Sequence, residues 1–599
     1  MQKITKRDLF IALGLFVAGF FYCFLGTFSL DFIRDTEADR TLISIEMHQR
    51  GSYSVPYLLG QEFLTKPPGY YWSQAATFAL TGSYDIVSAR LSTVISLAIL
   101  LFAHFLFLRR LGWSRGNALF STGILASFAA IFRIYVLAEI DGLFTTLTAL
   151  AMYLGCLSVL EENKYLPAIA SWFFAALAFL VKGPPVLLFS TGGLILFALV
   201  ALKGTAKKWK LFKPLFLAHG AGILLCVLIV GLWANLVIAE LGKEKVMDHL
   251  NYQVVQRVTG EAKAHAGRNR GPLFYVKATL AGTIPWTPLL FVFFFPLFDR
   301  VGRRRFREDA RITCDWDYPN RCPYHLAILF AICTAIPSYI GLVATAGKAS
   351  RYMLPLFPVL AIICAHVARV MAETTAEKHL LRFCIGLGLI LGIGGLAAIP
   401  KAITITADTH KGILGALGLA LPALFLAFTA WKCTKKNRWR VGLALVVLIV
   451  FARAPYNLIF ATKRNLDKSP RPVAAAIDIL VPKGEPIYIL AMYERWICYY
   501  LITEFNRPVL RLRKDHGEAW AKGTQSQKAP NEPIARGNTR YLLINKVSEL
   551  PSLTKLRDAN EQTKILGEYT QNKRSFYLVE APVDAITANY QSKGFLGRK

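Results

Sequence analysis

Apolar blocks about twenty residues long recur from the N-terminus to roughly residue 461, each bounded by charges or by Pro and Gly. A helix of that length matches a hydrocarbon core of about 30 Å, and backbone polar groups in lipid must be satisfied within the helix. The blocks therefore restrict the chain to a polytopic, mainly α-helical membrane protein. They number about thirteen, over 9–30, 84–108, 117–132, 137–159, 165–181, 184–202, 214–239, 274–298, 325–346, 353–371, 379–400, 412–431 and 439–461. The N-terminal block is too long for a signal peptide and lacks a small-residue cleavage site, so it reads as a retained first helix.

Orientation follows from the short loops. With a cytoplasmic N-terminus, "RRLGWSRG" (109–116), "KGTAKKWKLFK" (203–213), "RVGRRRFR" (300–307) and "KCTKKNRWR" (432–440) all fall inside, as the positive-inside rule requires. This distribution accounts for a net charge of +31 without nucleic acid. Two large loops, 31–83 and 241–273, then lie outside, together with everything after the last block. Domains are thus expected at 1–461, spanning the membrane, and at 462–599, extracytoplasmic.

The second domain reads as a small soluble α/β unit. Alternating apolar residues in "EPIYILAM", "RPVLRL" and "RYLLINK" predict strands, and "PVAAAIDIL" and "RWICYYLIT" predict short helices. "TKILGEY" and "SFYLVEA" read as a hairpin, and 514–538 as a mobile loop. Most of the ten cysteines fall inside apolar blocks, where a thiol is a small hydrophobe. Cys314 and Cys322 form the only close pair outside a block and read as two unrelated loop thiols.

Ionisable residues collect at the outer face. Asp31, Asp35, Glu37 and Asp39 open the first external loop with Arg34 and Arg40; "TLISIEMHQRGSYSVPYLL" follows as an expected amphipathic interface helix, and the loop then reaches Lys66 in "FLTKPPGYYW". Asp141 begins the fourth block, Lys182 ends the fifth, and Lys348, Arg351 and Tyr352 join the ninth to the tenth. His249, Arg257, His265, Arg268 and Arg270 lie in the second external loop. A single lysine at such a place is explained by snorkelling to the interface, and an acidic run by helix capping. Several cations returning to one leaflet beside carboxylates instead suit a shared anionic ligand. Glycosyl transfer from a lipid-linked sugar phosphate uses such a set, because the leaving phosphate develops negative charge and a carboxylate can accept a hydroxyl proton.

The same residues carry a family resemblance. "RDTEADRTLISIEMHQRGSYSVPYLLGQEFLTKPPGYYW" resembles the first external loop of GT-C glycosyltransferases of the protein O-mannosyltransferase type, including the bacterial aminoarabinose transferases that modify lipid A. The matching positions are Glu46-Met47, Gly51, Pro56, Lys66-Pro67 and Tyr71-Trp72, then Asp141, Lys182-Gly183, Gln256 to Val258, Pro285-Trp286 and Lys348 to Pro355. Two positions depart from the family pattern. Ungapped matching puts Thr36 where the family has its catalytic aspartate and Glu37 on the following glutamate, and it puts Val254 where lipid A enzymes carry a histidine.

The resemblance implies a GT-C fold and an enzyme moving a sugar from a polyprenyl-phosphate donor, of the undecaprenyl type, to a lipid, glycan or protein acceptor at the outer leaflet of the bacterial inner membrane. Asp35 or Glu37 is then the base or acceptor-orienting group, Asp141 a second acidic contact, and Lys66, Lys182, Arg257, Lys348, Arg351 and Tyr352 the phosphate contacts. Lys and Arg already supply positive charge, so no cofactor is expected; a divalent ion held by the first-loop carboxylates is the alternative. The rival function is a transporter or flippase of lipid-linked sugar phosphates, which ordinarily carries ionisable residues near mid-bilayer rather than at helix ends.

Overall fold

The computed structural model describes residues 1–32, 34–201, 208–251, 270–294, 323–345, 347–373, 377–434, 438–489, 495–511, 539–546, 550–571, 574–583 and 585–586. Cys314, Cys322, Arg257, His265, Arg268 and the 514–538 loop lie outside them. For Asp35 and His249 only the backbone is described.

Among the described residues, ten helices are long and apolar enough to cross a membrane. They coincide with ten of the blocks predicted above; the blocks at 117–132, 184–202 and 274–298 do not reach that length. The first is divided into α5 (Arg115–Ser127) and α6 (Ala129–Ile134) by Phe128, whose ψ of 129° leaves the helical region. Helix α9 (Pro185–Ala201) is a 17-residue apolar helix. The third gives helices Phe274–Gly282 and Thr287–Phe294 around Pro285, which has no N–H to continue a helix.

The chain forms two compact units. The larger comprises Met1–Thr27, Leu64–Tyr70 and Arg90–Ile459. Within it α1 (Lys6–Phe24) starts with a capping box, in which Thr5 accepts from the Asp8 amide and Asp8 accepts from the Thr5 amide. The Asp8 carboxylate also takes Arg109 Nε at 2.9 Å and Arg115 Nε at 2.8 Å, and Arg110 pairs with Glu161 at 2.6 Å. The basic 109–116 loop is therefore partly neutralised by the ends of neighbouring helices. Further along lie α4 (Ile86–Arg110), α7 (Ile140–Leu160), α8 (Tyr165–Lys182), and a helix of 34 residues from Lys208 to Leu241.

The second unit comprises Phe28–Phe63, Tyr71–Ala89 and Phe460–Lys599. The helix expected from Thr41 onward begins earlier, so α2 (Asp35–Arg50) carries Asp35, Thr36 and Glu37 in its first turn and stops at Gly51, whose φ of 65° is left-handed. It does not lie with one face free as an interface helix would: Glu37, Asp39, Arg40 and the residues from Thr41 to Ile45 are buried. Strands β1 (Tyr57–Leu58) and β2 (Gln61–Glu62) form a small hairpin, and α3 (Gly69–Thr81) follows.

All five predicted C-terminal strands form: β3 (Ile487–Ile489), β4 (Val509–Arg511), β5 (Thr539–Asn545), β6 (Lys564–Gln571) and β7 (Arg574–Pro582). The sheet order is β4-β3-β5-β7-β6, with β3 parallel to β4 and β5, and β7 antiparallel to β5 and β6. The predicted helices appear as Arg471–Leu480 and Arg495–Thr503. Tyr488, Leu542, Ile544, Leu556 and Val579 centre the core of this sheet.

Candidate active site

Asp141 sits in the first turn of α7 and Lys182 in the last turn of α8, where the two helix dipoles favour an anion and a cation respectively. Both side chains are buried, and Lys182 Nζ donates to Asp141 Oδ1 at 2.5 Å. The residue after Lys182 must be glycine: Gly183 has φ 87° and ψ −154°, a region closed to side chains, and it turns the chain into Pro184-Pro185.

A short 3-10 helix, Ser350–Leu356, brings Arg351 Nε to 3.8 Å from Asp141 Oδ2. The Tyr352 ring lies 4.8 Å from Lys182 Nζ, and the Phe144 ring, one turn along α7 from Asp141, lies 4.9 Å from it. Such contacts stabilise a desolvated ammonium by about 2 kcal/mol. Lys348 is 7 % exposed, and its ammonium donates to Thr345 O at 2.9 Å; no carboxylate faces it among the described residues. Lys182, Lys348 and Arg351 against Asp141 and the buried Glu139 at the N-cap of α7 leave one more positive than negative charge.

Lys66 is half-buried in the same unit. Its turn is pressed onto the end of α8, since a Cβ on Gly69 would stand 2.9 Å from both Leu180 C and Leu180 O. Tyr70 is fixed by a 3.2 Å bond between its hydroxyl and that of Thr93. The larger unit thus gathers Asp141, Lys182, Arg351 and Tyr352 into direct contact, with Lys348 on the adjoining loop and the Lys66 turn on α8.

In the second unit, the acidic run divides by partner. Asp39 Oδ1 pairs with Arg495 Nε at 2.8 Å, and Asp31 takes Ser469 Oγ at 2.6 Å and Arg471 at 3.5 Å. Both are tied to the C-terminal part of the chain. Arg40 donates to the Tyr71 hydroxyl at 3.1 Å; burial pushes that phenol up from its ordinary value, and the guanidinium opposes the shift. Glu46 accepts from the Gly60 amide at 3.0 Å and pairs with Arg50 at 2.6 Å, holding the hairpin to α2. Trp72 Nε1 donates to Tyr53 O at 2.8 Å. Glu37 is completely buried in the first turn of α2.

Two participants escaped the sequence reading. Glu139, 2 % exposed, stands at the N-cap of α7, and its charge inside an apolar block was a visible signal. Phe144 had none, because an aromatic in such a block is ordinarily lipid-facing or core.

A protein family described as dolichyl-phosphate-mannose-protein mannosyltransferase matches residues 65–233, a segment that contains Lys66, Asp141 and Lys182. An undecaprenyl phosphate-alpha-4-amino-4-deoxy-L-arabinose arabinosyl transferase of Erwinia tasmaniensis is 23 % identical over 488 residues, covering 80 % of each chain. The crystal structure of ArnT from Cupriavidus metallidurans bound to undecaprenyl phosphate superposes with a TM-score of 0.66 at 16 % identity, over 95 % of this chain and 97 % of that one. Its apo form gives a TM-score of 0.68 at 15 % identity. In sequence and in fold the chain is similar to these transferases. The positive charge of Lys182, Arg351 and the buried Lys348 is of the kind that stabilises an anionic group such as a phosphate.

Proposed function

We propose that this glycosyltransferase moves a sugar from an undecaprenyl-phosphate donor to a lipid, glycan or protein acceptor, with inversion, at the outer leaflet of a bacterial inner membrane. The N-terminus is then cytoplasmic and the C-terminal domain periplasmic. The observation carrying this reading is the Lys182–Asp141–Arg351 cluster at helix ends, with a further buried cation, Lys348, three residues from Arg351 in the chain.

In the proposed step, an acceptor oxygen attacks the anomeric carbon from the face opposite the phosphate. The carbon–oxygen bond to phosphate breaks, and its electron pair leaves with the phosphate, where Lys182, Lys348 and Arg351 stabilise the charge. Lys66, Arg257 and the Tyr352 hydroxyl are proposed as further donors to the same group. Asp141 acts by position: its carboxylate is engaged by Lys182 at 2.5 Å, so it orients that ammonium rather than receiving a proton. Where the acceptor is a hydroxyl, its proton goes to a carboxylate in the first turn of α2, Asp35 or Glu37; a phosphate acceptor is already anionic and requires no base. The cations perform the charge stabilisation that a divalent ion supplies in other transferases, so the reaction is proposed to run without one.

The purified protein, incubated with radiolabelled polyprenyl-phosphate sugar and candidate acceptors, should release free polyprenyl phosphate only when an acceptor is present. Movement of intact donor between leaflets without cleavage would establish the transporter instead.

A further inference from the structure

A lysine ammonium is a compact charge on a flexible four-carbon stem, and one bond to a carboxylate leaves it free to swing about that oxygen. Asp141 supplies such a bond to Lys182. Two aromatic faces restrict what remains of the motion. Lys182 Nζ lies over the Phe144 ring, 4.9 Å from its centroid, and over the Tyr352 ring at 4.8 Å. Tyr352 also carries the hydroxyl proposed above as a phosphate donor. Phe144 has no polar atom, is 1 % exposed and belongs to α7 itself. Asp141 and Phe144 stand three residues apart, so one face of one helix presents both a carboxylate and a ring to the same ammonium.

The surroundings of Phe144 are stiff. In the first turn of α7 a Cβ on Gly142 would stand 2.6 Å from Thr93 Cγ2 and 3.3 Å from Tyr135 Cδ1, which leaves the helix little room to roll. The Phe189 ring, on α9 and itself 1 % exposed, meets the Phe144 ring in a T-shaped contact with centroids 6.4 Å apart and an interplanar angle of 71°. Contacts of this kind join the positive edge of one ring to the negative face of another and so fix their relative tilt. Helix α9 starts at Pro185, directly after the Lys182–Gly183 turn. The same chain reversal therefore supplies the ammonium and the ring that braces its aromatic partner.

Given the phosphate site proposed above, on which this inference rests, we propose that Phe144 is a positioning residue for transfer: its π face holds the Lys182 ammonium toward the leaving phosphate, and Phe189 sets the tilt of that face. Phe144 acts through Lys182 and touches no substrate. The phosphate gains charge as its bond to the sugar breaks, so a misplaced ammonium lowers turnover more than donor affinity. Ordinary core packing depends on the volume of the ring, whereas a cation–π hold depends on its electron density.

Stepwise fluorination separates the two, because each ring fluorine withdraws density and changes volume little. Phenylalanines bearing one, two and three fluorines at position 144 should lower the turnover number progressively, to about a tenth at three, with the KM for the lipid-linked sugar within about twofold of wild type. Without substrate the Tm should fall along the same series by about 2 °C in total, and this slope should vanish in a Lys182→Met background. The stability series needs neither donor nor acceptor, so its failure is distinct from a failure of the transfer reading. Phe189→Leu, which keeps the Phe144 ring but removes its brace, should cut turnover about threefold. A turnover number independent of fluorine count, or a Tm slope equal in the wild-type and Lys182→Met backgrounds, overturns the proposal.

Discussion

Lys348 and Lys182 are both buried cations beside the proposed phosphate, yet replacing each with Met should have opposite effects on stability. Lys348 makes one charged hydrogen bond, to Thr345 O at 2.9 Å, and faces no carboxylate among the described residues. Removing it loses about 1.5–3 kcal/mol from that bond but relieves a desolvation penalty of several kcal/mol, so the Tm should hold or rise. Lys182 is paired at 2.5 Å with Asp141, which is 2 % exposed. Its loss leaves that carboxylate to Arg351 at 3.8 Å and strips the Phe144 and Tyr352 rings of their cation. The cost is about 3–5 kcal/mol and a clear fall in Tm. In catalysis the two should behave alike, each lowering the turnover number by about 10²–10³ through lost stabilisation of the leaving phosphate. The assay is release of polyprenyl phosphate from a lipid-linked sugar, run beside thermal unfolding of the same preparations. The reasoning fails if Lys348→Met keeps a rate within about threefold of wild type, or if its Tm falls as far as that of Lys182→Met.

Gly69→Ala should impair transfer as severely as Lys66→Ala, because the new Cβ meets the Leu180 backbone at 2.9 Å and the whole turn must shift; matched rates for Gly69→Ala and wild type contradict this. Gly183→Ala forces a side chain into φ 87°, ψ −154°, costing about 1–3 kcal/mol, and should lower both Tm and turnover by displacing Lys182. Arg495→Met abandons the buried Asp39 carboxylate and should destabilise by about 3 kcal/mol in a chemical denaturation series, whereas a silent substitution would mean that Asp39 is served by another group. EDTA should leave the transfer rate unchanged, and recovery of a lost rate on adding a divalent ion would assign a metal to the reaction.

The sequence made the membrane architecture legible because block length is set by the bilayer rather than by neighbours. Among the described residues, ten spans were found where apolar helices reach at least eighteen residues. The break at Phe128 left no local mark in "ASFAAIF": it is held by tertiary bonds, Ala129 N to Ile284 O at 3.0 Å and Trp286 Nε1 to Ser127 Oγ at 2.8 Å. Strands β3, β4 and β5 were readable from alternation with period two. In the candidate site, Asp141, Lys182 and Arg351 announced themselves as charges at the ends of apolar blocks. Their pairing depended on how α7 and α8 lie together, which no spacing encodes. The role of Asp39 was equally hidden, since Arg495 is far away along the chain. The acidic run from Asp31 to Asp39 looked like one constellation, but Asp31 and Asp39 are engaged by partners in the C-terminal part of the chain.

The central claim is an excess of positive charge, from Lys182, Lys348 and Arg351, that receives a lipid-linked phosphate. It is tested most directly by the ³¹P NMR titration of polyprenyl phosphate bound to the protein. A phosphate monoester in water loses its second proton near pH 6. Bound beside Lys182, Lys348 and Arg351 it should lose that proton at a distinctly lower pH, and Lys348→Met should move the midpoint back toward the free value. A midpoint identical in free and bound lipid, or unmoved by Lys348→Met, would contradict the account.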